Sequence, residues 1–222
     1  MRTALHLTAT AGLLAAAFAP TTAQAAPPPP VQLRQAVHLL TVAPEVEEGY
    51  KRTLFHHWTD SDHDGCDTRQ EALKAEATGP IVVGKDCKIL SGTWYSYYDD
   101  TTVHGDPAHQ LDLDHLVPLK EAFNSGADTW TPERREAYAN DLGVDTSLVM
   151  VTAHSNRAKS DKDPAQWMPP YEPAACRYIT EWTATKLRWG LAVDQAEADT
   201  LTDYAEDCPN VPLDAVSAPN HT

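Results

Sequence analysis

Residues 111–125, LDLDHLVPLKEAFNS, constrain this chain more than any other stretch. Leu111 and Leu113 alternate with Asp112 and Asp114, the period of a half-buried strand. The strand is expected over residues 111–116, and Pro118 closes it. Residues 118–124 read as a helix. Two carboxylates and a histidine, His115, therefore sit where a strand ends and a helix begins. A second polar cluster, VTAHSNRAKSDKDP, spans residues 151–164.

The flanking segments supply a mixed set of elements. Residues 67–77 carry the caps and formers of a short helix, ended by Thr78-Gly79-Pro80. Residues 81–83 and 87–98 read as strands, with Gly84 and Gly92 as turn points. Residues 131–142 open with Thr131-Pro132-Glu133 and read as a helix. Residues 148–152 read as a strand, followed by a helix capped by Thr152 or Ser155 that carries Asn156 and Lys159 on one face. Helices are expected over residues 174–189 and 194–207, the second opened by an Asp194/Glu197 capping box. Short strands around a loop-borne site with packed helices make an α+β fold.

The ends read as processing and linking segments. Arg2, the apolar run at 5–20 and Ala23-Gln24-Ala25 form a secretory signal peptide over residues 1–25. Pro- and Ala-rich residues 26–44, with a short apolar patch from Val31 to Val42, read as a linker or loosely docked arm, residues 45–208 as the folded domain and residues 209–222 as a frayed tail. The exported product is expected to be extracellular and monomeric, without a membrane partner. Four cysteines in an exported chain argue for two disulfides. Three pairings are possible. Cys66–Cys87 and Cys176–Cys208 are favoured because each pair brackets one local unit, and each bridge would contribute roughly 3–4 kcal/mol.

Charge limits the choice of partner. The chain carries 17 basic and 32 acidic residues, a net −15. A strongly acidic surface disfavours broad electrostatic capture of nucleic acid. The acid is unevenly spread, however. Residues 190–222 hold seven acidic residues and no lysine or arginine, whereas residues 115–189 hold nine basic and ten acidic ones. The region of the two polar clusters is near balance.

The clusters together offer the chemistry of phosphodiester hydrolysis. A histidine with an ordinary pKa of about 6.5 suits deprotonation of water. A hard divalent cation neutralises charge on the phosphate and prefers oxygen ligands. Asp114 beside His115 supplies one such ligand and Asn156 a neutral second. Lys159, one helical turn on, would point a charge at phosphate. Asp112 is more suited to orienting than to ligating. On a flat strand Asp112 and Asp114 share a face and His115 points the other way, so the strand must bend or end there.

Asp114-His115-Leu116-Val117-Pro118, then Asn140-Asp141-Leu142, then Asn156-Arg157-Ala158-Lys159, resembles the HNH, or His-Me finger, nucleases. The match is closest to small secreted HNH proteins related to the C-terminal domain of GmrSD-type restriction enzymes. Gly65-Cys66-Asp67-Thr68-Arg69 and Lys162-Asp163-Pro164-Ala165-Gln166-Trp167 fit the same pattern. The resemblance implies a ββα-metal core, with His115 as general base and Asp114 and Asn156 holding one divalent ion, usually Mg²⁺. It implies Asn140 as a scaffold that pins the loop, Lys159 as a phosphate contact, and nucleic acid, DNA before RNA, as substrate.

One motif stands apart. Asp60, Asp62, Asp64, Gly65 and Glu71 fit the calcium-loop spacing D-x-D-x-D-G-x5-E, which would give a structural Ca²⁺ site. Two other classes thus remain open: a catalytically inactive calcium-stabilised binding module and a phosphodiesterase of small substrates. Of the aromatics Trp94, Tyr95, Tyr97 and Tyr98, alternation sends half to the core and leaves the rest for base stacking.

Overall fold

The computed structural model describes residues 30–213 and Ala218. The expected signal segment, 1–25, lies outside the described residues. In chain order the elements are β1 (Val31–Gln32), α1 (Leu33–Val37), α2 (Thr68–Ala75), β2 (Val82–Val83), β3 (Ile89–Ser96), β4 (Thr101–Gly105) and β5 (Leu111–His115). There follow α3 (Leu119–Asn124), α4 (Pro132–Ala139), β6 (Leu148–Thr152), α5 (Ala153–Lys159), α6 (Ala175–Trp189), α7 (Gln195–Asp207) and β7 (Pro212–Leu213).

The named strands form three small antiparallel sheets: β2-β3-β4, β5-β6 and β1-β7. In the second, Asp114 lies opposite Val149 and His115 opposite Leu148. Helix α5 follows β6 directly, because Thr152 ends the strand and its side chain accepts from Ser155 N. Strands β5 and β6 with α5 therefore make a strand–strand–helix unit. The long β5–β6 connection carries α3 and α4.

Local chemistry accounts for most boundaries. Asp67 and Gln70 close a full capping box on α2. Thr131 caps α4, with Pro132 in its first turn. Asp194 caps α7 through Glu197 N, but the expected second half of that box is absent: the Glu197 carboxylate turns inward to Lys186 and Trp182. Gly92 is not a turn. It lies within β3, where a Cβ would run into the Trp94 indole. Strand β4 was not expected; of TTVHG only Val103 is buried, so its pattern is that of a loop.

The linker expected over residues 26–44 is instead, from residue 31 on, part of the core. Leu33, Ala36, Val37 and Leu40 pack with α6 and α7, burial that repays ordering a segment with four apolar side chains on one face. Arg34 caps the end of α7, donating to the carbonyls of Ala205, Glu206 and Cys208 at 3.0–3.1 Å. The domain thus begins well before residue 45. The expected tail is also tied down through Leu213, which pairs with Val31 in the β1–β7 ribbon.

Both favoured disulfides form. Cys176–Cys208 joins the start of α6 to the end of α7, holding the two as an antiparallel pair, and Cys66–Cys87 joins α2's N-terminal turn to the segment before β3. Helix α6 is more central than its apolar stripe implies, with Glu181, Lys186 and Arg188 buried beside Tyr178 and Trp182.

Buried carboxyls give the fold a definite pH response. Burial pushes Glu76 up to about 7, against the pull of the Met150 N–H and Arg177. Burial and the neighbouring Glu121 push Glu45 up to about 7. Burial likewise lifts Glu197 to about 8 despite Lys186. Such groups bind protons more tightly folded than unfolded, so they stabilise at low pH and that stability is lost as pH rises toward 7–8. His115, held low by burial, acts in the opposite sense, but only below its unfolded value of about 6.5. Above pH 6.5 the carboxyls set the downward trend, opposed only by the lowered Lys159 amine. Melting curves should therefore fall on the order of 10 °C from pH 6.5 to 8.5, with a flatter profile in Glu76→Gln. A Tm that is level or rising across that window would contradict this assignment.

Candidate active site

His115 is the last residue of β5 and is buried. Its Nε2 lies 2.9 Å from the carbonyl of Ala139, the final residue of α4. A carbonyl can only accept, so Nε2 carries the hydrogen and, in the neutral ring, Nδ1 carries the lone pair. The ring stacks on Trp58 at 5.2 Å and 13°, and on Tyr138 at 6.3 Å and 20°. Trp58 reaches this position from a left-handed backbone, φ 62°, a conformation that costs a bulky residue on the order of 1–3 kcal/mol. Burial holds His115 down to about 3, against the Ala139 carbonyl and with help from the charge of Arg52. The imidazole is neutral at physiological pH.

Asn140, the residue after Ala139, is engaged on all sides. Its Oδ1 accepts from Thr59 N at 3.1 Å and Thr68 Oγ1 at 2.7 Å. Its Nδ2 donates to the carbonyls of His56 and Glu136, both at 2.8 Å. It ties the end of α4 to the N-terminal turn of α2 and to the segment carrying Trp58.

Asp114 projects from the other face of β5. Both of its oxygens contact Lys159 Nζ, at 2.8 and 3.0 Å, and Tyr98 donates to Oδ2 at 2.7 Å. Lys159 also donates to the His115 carbonyl at 3.0 Å and is 0% exposed. Burial pushes the Asp114 carboxyl up and the Lys159 amine down, and their mutual attraction opposes both shifts. Lys159 is thus enclosed as the counter-ion of Asp114 and does not face the open cavity.

Asn156 lies one turn before Lys159 on α5. Its Nδ2 donates to Asp112 Oδ2 at 3.1 Å, which fixes the plane of the amide. Among the described residues no donor reaches Asn156 Oδ1. Asp112 and Asp114 share the face of β5 that meets α5, with His115 opposite, as strand geometry requires. The break comes after His115, not before it. Even so, Asp114, His115 and Asn156 all line one cavity of about 300 Å³ at the end of the strand. Arg52, Lys120 and Arg157 line it too.

Of the aromatic group, Trp94, Tyr97 and Tyr98 are buried and only Tyr95 is exposed, which removes most of the stacking surface. In the acidic loop, carboxylate oxygens of Asp60, Asp62 and Asp64 lie within 4.8 Å of one another, as do those of Asp64 and Glu71. Glu71 is paired with Lys74 at 2.9 Å. Backbone N–H groups of Asp64, Gly65 and Cys66 bind the three aspartates and shape the loop.

Sequence reasoning missed Trp58, Tyr98, Tyr138 and Arg52. No local spacing marks them; each reaches the site through tertiary packing.

The sequence profile of the GmrSD restriction endonuclease C-terminal domain matches residues 67–204. The chain belongs to this family. It is also similar to an uncharacterized secreted protein of Arthroderma benhamiae, 38% identical over 170 residues, which span 76% of this chain and 81% of the relative. No solved structure matches it significantly. For a GmrSD C-terminal family member a nuclease-related function follows, with nucleic acid as the class of substrate. No described helix is long and apolar enough to cross a membrane.

Proposed function

We propose that this GmrSD-family protein is a secreted, metal-dependent HNH endonuclease that hydrolyses DNA, with His115 as general base. The observation that carries the reading is the state of His115. It is neutral, its Nε2–H is pinned by Ala139, and its ring shares a cavity with Asp114 and Asn156. Asn156 Oδ1 and Asp114, both in the wall of that cavity, are the hard oxygen donors that would hold one Mg²⁺ ion, with Asp114 otherwise paired to Lys159; the strand–strand–helix unit that presents them supports a ββα-metal core. When bound, such an ion supplies Lewis acidity toward the phosphate.

The chain's own residues do the rest. His115 Nδ1 takes the proton of the attacking water. The Ala139 carbonyl and the stacked rings of Trp58 and Tyr138 fix the plane of the imidazole. An anionic phosphate entering the cavity acts against burial and Arg52 and raises the basicity of His115. Lys159 and Tyr98 hold Asp114 in place.

Incubation of purified protein with supercoiled plasmid should give nicked and linear products with Mg²⁺ and none with EDTA. RNA and a small phosphodiester run in parallel separate substrate classes. Intact plasmid in all metal conditions, with the small ester hydrolysed, would replace the nuclease reading with a phosphodiesterase one.

A further inference from the structure

Three cations, Arg52, Lys120 and Arg157, line the cavity that holds His115, and a fourth, Lys159, is enclosed behind it; among the described residues, all but Arg52 have a carboxylate partner. Lys159 is buried against Asp114. Lys120 pairs with Asp161 at 3.4 Å, and Arg157 with Asp112 at 3.5 Å. Arg52 lines the same cavity from the single-turn helix Arg52–Leu54. It is exposed and, among the described residues, has no carboxylate within ion-pairing distance. Its neighbour in the cavity wall is the Tyr50 phenol, uncharged at neutral pH. Its charge is close enough to act on His115.

We propose that Arg52 is the phosphate anchor of this cavity, gripping the phosphate ester that is attacked by the water His115 deprotonates. The assignment rests on the nuclease reading for the chemistry, but phosphate binding by Arg52 can be tested apart from it. A planar guanidinium offers two parallel N–H donors to two phosphate oxygens, which suits a lone anchor. Arg52 also lies outside residues 67–204, so the family-matched stretch alone lacks this contact. A single cation without a carboxylate partner in the wall of this cavity, in a chain of net −15, means few phosphate contacts there. The salt dependence of DNA binding should then be shallow, a slope of about −1 in log K against log salt.

The test is titration of the full-length protein with inorganic phosphate, read by the imidazole ¹⁵N signals of His115. Wild type should show a saturable shift, and Lys85→Gln, with its charge away from the cavity, should match it. Arg52→Gln should weaken binding about 10- to 100-fold, with Arg52→Lys between the two. Melting curves identical to wild type confirm folding. Equal phosphate affinity in Arg52→Gln, or no phosphate shift in wild type, would overturn the proposal. Arg52-dependent phosphate binding in a protein that leaves plasmid intact would support the anchor and remove the nuclease reading.

Discussion

Replacing His115 with alanine should lower plasmid cleavage by about 10²–10⁴-fold, the usual contribution of a positioned general base. No other group is placed to substitute. His57 is the nearest second imidazole, with its ring 6.3 Å from that of His115, and its Nδ1 faces the Phe55 carbonyl at 2.9 Å. Truncation also removes a ring packed between Trp58 and Tyr138, so some stability is lost with it. His115→Gln separates the two effects. Its amide can still donate to the Ala139 carbonyl but cannot take a proton from water. Both variants should be folded by circular dichroism and both inactive. Cleavage at the wild-type rate in His115→Gln would eliminate the general-base role.

Lys186→Met should cost about 3–5 kcal/mol, with a Tm fall on the order of 10 °C. Lys186 is fully buried. Its Nζ donates to Glu121 at 2.6 Å, Glu197 at 3.1 Å, Ser125 Oγ at 2.8 Å and the Ala192 carbonyl at 2.8 Å. Burial alone would raise Glu121, but the Lys186 charge and hydrogen bond bring it below the usual carboxylate range. Methionine matches the shape of the stem and leaves that carboxylate buried without a counter-charge. The damage lies in the orphaned partner more than in the lost pair. Adding Glu121→Gln and Glu197→Gln to Lys186→Met should therefore recover most of the loss. Urea melts decide it: a single-mutant cost below about 1 kcal/mol would show that the network is solvated or readily rearranged.

The legible parts of this fold are those specified by neighbours in sequence. The strand over 148–152 and the caps at Asp67, Thr131 and Thr152 are local events, so spacing suffices to place them. Each disulfide brackets a local unit, which is why proximity in the chain picked the right partners. The strand alternation at 111–115 gave the opposed faces of Asp114 and His115. Helical spacing likewise put Asn156 and Lys159 on one side of α5. It did not reveal that this side packs on the aspartates of β5, and that contact turns Lys159 from a solvent-facing cation into a buried counter-ion. Helix α1 is only five residues long and follows a run of prolines, so its helical nature depends on docking against α6 and α7. Arg52 carries no signal at all beyond its charge, because its value depends on which neighbouring cations are already paired.

In the proposed secreted role, the β1–β7 ribbon carries one practical meaning. Exopeptidases degrade proteins by threading a loose end into a narrow cleft. Here residues 31 and 213 are zipped to each other, Arg34 clasps the end of α7, and the Cys176–Cys208 bridge lies just behind. Nibbling from either direction should stall at this knot until the enzyme denatures, so trimming at the extremities and loss of activity should be separate events.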